Sequence, residues 1–177
     1  LCEALVICVA ANQACALKNI ARFVKQKHIH ELLEPAARAC LDLDSEMSSF
    51  ELFNALNVFN KVTRQLNRLT DNYDAIFLPT CTSVAPLIAQ VQSQHAQNHG
   101  EGKEHLMNML WSALEFIYLS PLFNVSGQPA ISIPMGLSKL GLPTSVQFAA
   151  KLNDTHKLLQ LAQQFEDDRG NWVFPPD

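Results

Sequence analysis

Ser126 is the serine of this sequence whose neighbours most resemble those of a nucleophile. Acyl transfer needs a nucleophile, a base that takes its proton, and donors that stabilise the oxyanion. Ser126 precedes Gly127, but it lacks the Gly-x-Ser-x-Gly context of a strained nucleophile elbow. No histidine or lysine is paired with it by sequence, so we expect Ser126 to be a turn residue that hydrogen-bonds local backbone.

Cys81 is the thiol in the most suggestive position. It follows an apolar run that ends at Pro79, and α/β proteins often carry functional groups just beyond a strand end. A catalytic thiol needs a neighbour that lowers its pKa, and the sequence identifies no histidine for that role. Cys81 is therefore a candidate for a pocket wall, and we assign no catalytic residue in this chain.

A polar segment near residue 100 contains several side chains that can bind metals. His95, His99 and His105 lie there with Glu101 and Glu104. The histidine spacings of four and six do not match a rigid set of ligands on one helix face, so we predict a solvent-exposed loop. We expect no metal and no other cofactor, and a metal-binding domain remains only as a third alternative.

Composition excludes some classes of partner. The net charge is −4 and no basic patch is visible, so we expect no nucleic-acid partner. The five cysteines are an odd number without a CxxC pair, which favours a reducing cytoplasm. The apolar run over residues 1–17 is interrupted by Glu3, Asn12 and Gln13 and is shorter than the ~20 residues of a membrane span. We therefore expect a buried helix and no membrane association.

Hydrophobic periodicity and turn residues predict the elements that must position these groups. In chain order we expect a helix to about residue 27, two short helical pieces over 30–42 broken at Pro35, a long amphipathic helix opened by a capping box at Ser48–Glu51, a strand over 73–79, a polar connection over 80–103, a helix over 104–118, strands over 129–135 and 143–150 joined by a turn at Gly141, and a helix capped by Asp154. Strands that alternate with helices predict an α/β fold with a mixed sheet.

The sheet is thin for the number of apolar helices. We read the chain as one fragment of a larger domain, with a helical part over 1–71, a strand and helix part over 72–168, and an extended tail over 169–177. Either further strands from the rest of the domain or a partner chain should cover the apolar faces of these helices. Leu1 also stands in mid-pattern without a capping residue, so we expect a cut through a longer polypeptide.

Three segments carry a resemblance to a known family. They are YDAIFLPT (73–80), LFNVSGQPAISIP (122–134) and GLPTSVQFAA (141–150). In this order and spacing they resemble the C-terminal part of the amidase signature hydrolases, over residues 45–168 and more loosely before that. Within the family, the Gly-Gln-Pro-Ala and QFAA sequences are most similar to those of the 6-aminohexanoate-cyclic-dimer hydrolases.

The resemblance implies an amidohydrolase whose catalytic groups lie elsewhere. Such an enzyme forms an acyl-enzyme on serine and relays the proton through a second serine, in a cis peptide, and a lysine, without a metal or organic cofactor. The Gly/Ser-rich region that carries those serines is absent here, so this chain alone should be inactive. By resemblance, Phe123, Asn124, Ser126 and Gln128 are pocket candidates beside Cys81, although a structural role for Asn124 and Gln128 stays open.

We expect three partners from this resemblance. They are a small-molecule amide substrate, the missing N-terminal segment of the same protein, and a second copy of the chain if it forms a homo-oligomer through an exposed apolar face. The alternative is a stand-alone α/β interaction module without catalysis.

Overall fold

The computed structural model describes residues 1–26, 28–91, 102–117 and 119–170. The chain forms two compact units, and each is built from two separate stretches of sequence. The first, Leu1–Phe59 with Ala89–Ala113, is called the helical unit below. The second, Asn60–Ile88 with Leu114–Asp177, is called the sheet unit.

The helices and strands whose bounds lie within the described residues follow the predicted order with one addition, and residues 88–91, inside the predicted polar connection, are also helical. They are α1 (Cys2–Phe23), a 3-10 turn (Ile29–Leu32), α2 (Pro35–Glu46), α3 (Ser49–Thr70), β1 (Ile76–Pro79), α4 (Gly102–Ile117), α5 (Pro121–Ser126), β2 (Ala130–Leu137), β3 (Pro143–Ala149) and α6 (Thr155–Arg169).

The added element is α5, which lies between the helix predicted to residue 118 and the strand predicted from residue 129, where we expected a loop. A proline and a glycine set the limits of this short helix. Pro121 stands in its first turn, where a missing N–H costs no hydrogen bond. Gly127 ends it in the left-handed conformation, with φ of 70°.

The helical unit is held together by small apolar side chains. Val6 and Ala10 of α1 pack against Cys40 and Leu43 of α2, and α4 adds Leu106, Met107 and Leu110 to the same cluster. Ala10 is fully buried, so the backbones of the packed helices approach closely there. Pro35 opens α2, as a proline in the first turn can, and this explains the predicted break before that helix.

The capping box at the start of α3 is confirmed. The Glu51 N–H donates to Ser48 Oγ at 3.2 Å, and the Ser48 N–H donates to Glu51 Oε2 at 2.9 Å. The backbone hydrogen bond from Ser48, more than the one from its hydroxyl, lowers the pKa of the Glu51 carboxyl. Two donors that the helix leaves without intrahelical partners are thus satisfied reciprocally.

Helix α1 is longer than the 17-residue run that we considered too short for a membrane. It has 22 residues and a mean hydropathy of 1.5 over its most apolar window, so it is the one helix of the described residues that meets both requirements for a span. A core helix or a signal sequence meets them as well. Ala4, Ala10 and Ala14 of α1 are buried, and 28% of the apolar window is buried within the described structure.

The sheet unit contains a three-stranded sheet in the order β1-β3-β2. The α/β class is confirmed, but both strand pairs of the described part are antiparallel where we expected a mixed sheet. The antiparallel direction of β2 and β3 follows from the hairpin that joins them, because a short turn can join only antiparallel neighbours. The turn lies at Gly141 as predicted, with φ of 76° and the Leu140 and Leu142 N–H groups donating to Ser138 Oγ.

The two faces of the sheet have different covers. Phe148 and Ile133 lie under α6, where Leu158 is almost completely buried against them. Ala149 points to the opposite face, with Leu78 and with Phe123 of α5. Helix α6 begins after Asp154 as predicted, although its side chain makes no capping hydrogen bond and instead pairs with Lys157 at 3.2 Å.

Candidate functional site

All five residues that we predicted for a pocket lie in the sheet unit, but in different surroundings. Phe123, Ser126 and Gln128 are buried. Asn124 is exposed, one position from Phe123 on the same short helix. Cys81 is half-buried in the loop after β1. The structure therefore buries three of the five, leaves Asn124 exposed, and leaves Cys81 half-buried.

Ser126 and Gln128 belong to a buried chain of hydrogen bonds. Ser126 Oγ donates to Gln128 Oε1 at 3.2 Å, and Gln128 Nε2 donates to Thr70 Oγ1 at 3.0 Å. The Thr70 hydroxyl lies within 3.1 Å of the backbone carbonyls of Leu66 and Asn67. The chain thus connects the last turn of α3, the end of α5 and the start of β2.

Thr70 is the member of this chain that sequence reasoning missed. It is 2% exposed, and together with Leu158 it is one of the two largest side chains that are almost wholly buried. A threonine at the end of a helix carries no signal of burial in the sequence. Gln128 was found through its motif, and its carboxamide is here engaged as both acceptor and donor.

A second polar cluster lies where β1 ends beside β3. Ser120 Oγ is 3.3 Å from both the Thr80 carbonyl oxygen and Gln147 Oε1. Thr80 Oγ1 is buried and has no hydrogen-bond partner among the described residues. Thr80 and Gln147 both stand inside the motifs that carried the family resemblance, but their polar roles were not predicted.

Cys81 lines a surface cavity of about 410 Å³. Thr82 holds the loop in place, because its N–H donates to the Phe116 carbonyl at 2.9 Å and its hydroxyl donates to the Glu115 carbonyl at 2.5 Å. None of the side chains that line the cavity is charged. Besides Cys81, the lining residues are Ser83, Val84, Ala85, Phe116, Pro143, Thr144 and Ser145. Such a lining, part apolar and part hydroxyl, suits an uncharged ligand.

No metal centre is formed by the described part of the chain, where no three His, Cys, Asp or Glu residues are suitably placed. His95, His99 and Glu101 lie outside the described residues. Glu104 and His105 are part of α4, and His105 lines a separate polar cavity in the helical unit with His30 and other residues.

The protein-family model described as Amidase matches residues 4–159. The 6-aminohexanoate-cyclic-dimer hydrolase of Paenarthrobacter ureafaciens is 36% identical over 94 residues, which are 53% of this chain and 18% of that protein. The lipoamidase of Enterococcus faecalis is 28% identical over 113 residues, which are 58% of this chain and 16% of that protein.

A solved structure of a 6-aminohexanoate cyclic dimer hydrolase superposes on 94% of this chain with a TM-score of 0.82 and 22% identity. At that identity the likeness establishes the fold. The chain covers 34% of that structure, and it spans less than a fifth of the length of the two curated relatives named above.

Proposed function

The chain belongs to the amidase family, and from this premise we propose that it is a segment of a serine-dependent amidohydrolase that cleaves carbon–nitrogen amide bonds. The match to the family over residues 4–159 is the observation that carries the proposal. The Ser-cisSer-Lys machinery would lie outside these 177 residues, and the chain alone would be inactive.

Within the enzyme, this segment would form part of the substrate pocket. Cys81 would stand in its wall, since it lines a cavity after the end of β1. Asn124 is exposed and could contact a ligand, whereas Phe123, Ser126 and Gln128 would fix the segment from within. A wall of this kind narrows the pocket without taking part in proton transfer.

We propose that the substrate is a small uncharged amide, and a cyclic amide is the first to test. The uncharged lining of the Cys81 cavity supports this class, because burying an unpaired charge there would be costly. The name of the similar hydrolase from Paenarthrobacter ureafaciens supports the choice of the 6-aminohexanoate cyclic dimer. The five free cysteines are compatible with a cytoplasmic location.

The test compares two preparations of the protein. One is the 177-residue chain, and the other is the product of its complete coding region, each incubated with the 6-aminohexanoate cyclic dimer and with a panel of simple uncharged amides. We expect hydrolysis by the complete product and none by the 177-residue chain. A complete product that hydrolyses no amide would overturn the proposal and favour an interaction module without catalysis.

A pair of variants tests the pocket wall. Cys81→Phe in the complete product narrows the cavity, and we expect KM to rise about tenfold, which corresponds to ~1.4 kcal/mol of binding. Cys15→Phe is the matched control, since Cys15 is exposed on α1. Equal KM values for the two variants would remove Cys81 from the pocket.

A further inference from the structure

Three hydroxyl groups line the Cys81 cavity, and two of them donate to the protein itself. Ser83 Oγ donates to the next backbone carbonyl of its loop at 3.1 Å, and Thr144 Oγ1 donates to the Gly136 carbonyl of β2 at 3.1 Å. A hydroxyl has one hydrogen to donate, so neither of these groups offers that hydrogen to a ligand. Ser145 carries the third hydroxyl.

The Ser145 hydroxyl has no hydrogen-bond partner among the residues that the structure describes. Ser145 is half-buried, and its backbone is fixed because it pairs with Pro134 in the sheet. Side chains alternate along a strand, so Ser145 lies on the same face of β3 as Ala149, opposite to the face that α6 covers. The cavity therefore contains one hydroxyl that is held in place and is still able to donate.

The rest of the lining is apolar apart from the Cys81 thiol. These other residues are Val84, Ala85, Phe116 and Pro143. An amide carbonyl accepts the Ser145 hydrogen while hydrocarbon packs against the apolar residues. The lining contains no histidine, lysine, aspartate or glutamate that could take a proton from a nucleophile. An amide bound at Ser145 is therefore not the amide that the enzyme cleaves.

We infer that Ser145 determines substrate specificity by binding a second amide of the substrate, one that is not cleaved. The inference rests on the proposed function. It narrows the substrate class to molecules with two amide groups joined by hydrocarbon, and the 6-aminohexanoate cyclic dimer is such a molecule. A site that hydrogen-bonds one group of its substrate discriminates against an analogue without that group, because the polar group of the site is then left unpaired.

Variants of this serine test its role in the product of the complete coding region. Ser145→Ala removes the hydroxyl, and Ser145→Thr keeps it on a residue that suits a strand. The matched control is Ser132→Ala. Ser132 is exposed on β2 opposite Gln147, on the same face of the sheet as Ser145 but outside the cavity lining. Far-UV circular dichroism checks that every variant folds.

The kinetic constants kcat and KM are measured for the cyclic dimer and for N-butylhexanamide, which has one amide. An inhibition constant replaces KM if N-butylhexanamide is bound but not hydrolysed. We expect Ser145→Ala to raise KM for the cyclic dimer about fivefold with kcat unchanged, because it removes a neutral hydrogen bond that ground state and transition state share. Ser145→Thr and Ser132→Ala should keep the wild-type values. The constant for N-butylhexanamide should be the same in every variant.

Three results would each overturn the inference. They are an unchanged KM for the cyclic dimer in Ser145→Ala, an equal loss of affinity for both compounds, and a failure of Ser145→Thr to keep the wild-type KM. Hydrolysis of simple amides without hydrolysis of the cyclic dimer leaves the proposed function intact and refutes the second amide site.

A wild-type product that hydrolyses no amide refutes the proposed function by itself. Titration calorimetry with the cyclic dimer then tests Ser145 separately. Binding that is about fivefold weaker in Ser145→Ala supports the assignment of this residue, whereas equal binding or none overturns it.

Discussion

The helical unit and the sheet unit differ in where they place their polar side chains. Every buried polar side chain among the described residues lies in the sheet unit, namely Thr70, Ser126, Gln128 and Gln147. The buried side chains of the helical unit are all hydrophobic, and many are alanine. Its polar contacts include ion pairs near the surface, such as Lys18 with Asp44 and Lys103 with Glu3.

This difference indicates how each unit specifies its structure. Apolar packing is tolerant of direction and depends on volume, so the helical unit is defined by how closely its helices approach. A buried hydrogen bond depends on direction, and it is costly when one partner is lost. The interior of the sheet unit therefore fixes particular atoms in place.

The largest effect should come from the core of the sheet unit. Leu158 is 2% exposed beneath the sheet, and Leu158→Ala should cost about 2–5 kcal/mol in the free energy of unfolding, because it leaves a cavity. Chemical denaturation of the 177-residue chain measures this. The control is Leu159→Ala, which should cost ~0.5 kcal/mol or less, since Leu159 is 59% exposed. Similar losses at both positions would show that α6 does not pack as described.

The helical unit should respond most to added volume. Ala10 is completely buried in the cluster shared by α1, α2 and α4, and Ala10→Leu should cost about 1–3 kcal/mol through overpacking. Ala16→Leu is the control on the same helix, because Ala16 is exposed. Denaturation curves that do not distinguish Ala10→Leu from its control would contradict the close approach of these helices.

The buried hydrogen-bond chain offers a sharper contrast between the units. Thr70→Val keeps the shape of the side chain but leaves Gln128 Nε2 without its acceptor, at a cost of about 1–3 kcal/mol. The counterpart in the helical unit is Ser112→Ala, which removes a hydroxyl that bonds only within α4 and should change stability by ~0.5 kcal/mol or less. Chemical denaturation of both variants gives the comparison.

A double-mutant cycle isolates the contact itself. Replacing both partners with apolar groups removes the unsatisfied donor, so Thr70→Val with Gln128→Leu should cost less than the sum of the single changes. Additive losses would mean that the two side chains do not act together.

Local signals in the sequence predicted most of the elements. The capping box at Ser48, the proline at the start of α2 and the turn at Gly141 each act within a few residues, and each is confirmed. Helix α5 was not predicted, and the reason is also local. The six positions from Pro121 to Ser126 are too few for periodicity to indicate a helix.

Long-range contacts were beyond prediction. The partner of Gln128 is Thr70, which is 58 positions away, and nothing in either residue type indicates the pairing. Strand direction is a long-range property as well, since β2 and several helical residues, those of α4 and α5 among them, lie between β1 and β3 in the chain. For the same reason the motifs identified the family, whereas the contacts of Cys81 and Thr80 required the fold.

The smallest effect concerns a charged group at the surface of the helical unit, and it is measured as the dependence of stability on pH. The hydrogen bonds from Ser48 lower the pKa of Glu51 below its ordinary value of 4.5 in the folded state. The charged carboxylate thus stabilises the fold above pH ~4.5, and this contribution is lost as the pH falls through the lowered pKa. Glu51→Gln should therefore reduce stability at pH 7 and have progressively less effect as the pH approaches ~3.

Glu46→Gln is the matched control, because Glu46 is exposed at the end of α2, away from the capping box. Its effect should stay within ~0.5 kcal/mol. Measuring the stability of both variants from pH ~7 to pH ~3 shows whether the cost of Glu51→Gln depends on pH. If the cost of Glu51→Gln did not shrink with falling pH, the carboxylate would not act through its charge. The buried hydrogen-bond chain of the sheet unit, from Thr70 to Ser126, contains no group that titrates in this range. A pH-independent cost of Glu51→Gln would therefore remove the difference between the two units, in which charge at the surface stabilises the helical unit and neutral hydrogen bonds in the interior stabilise the sheet unit.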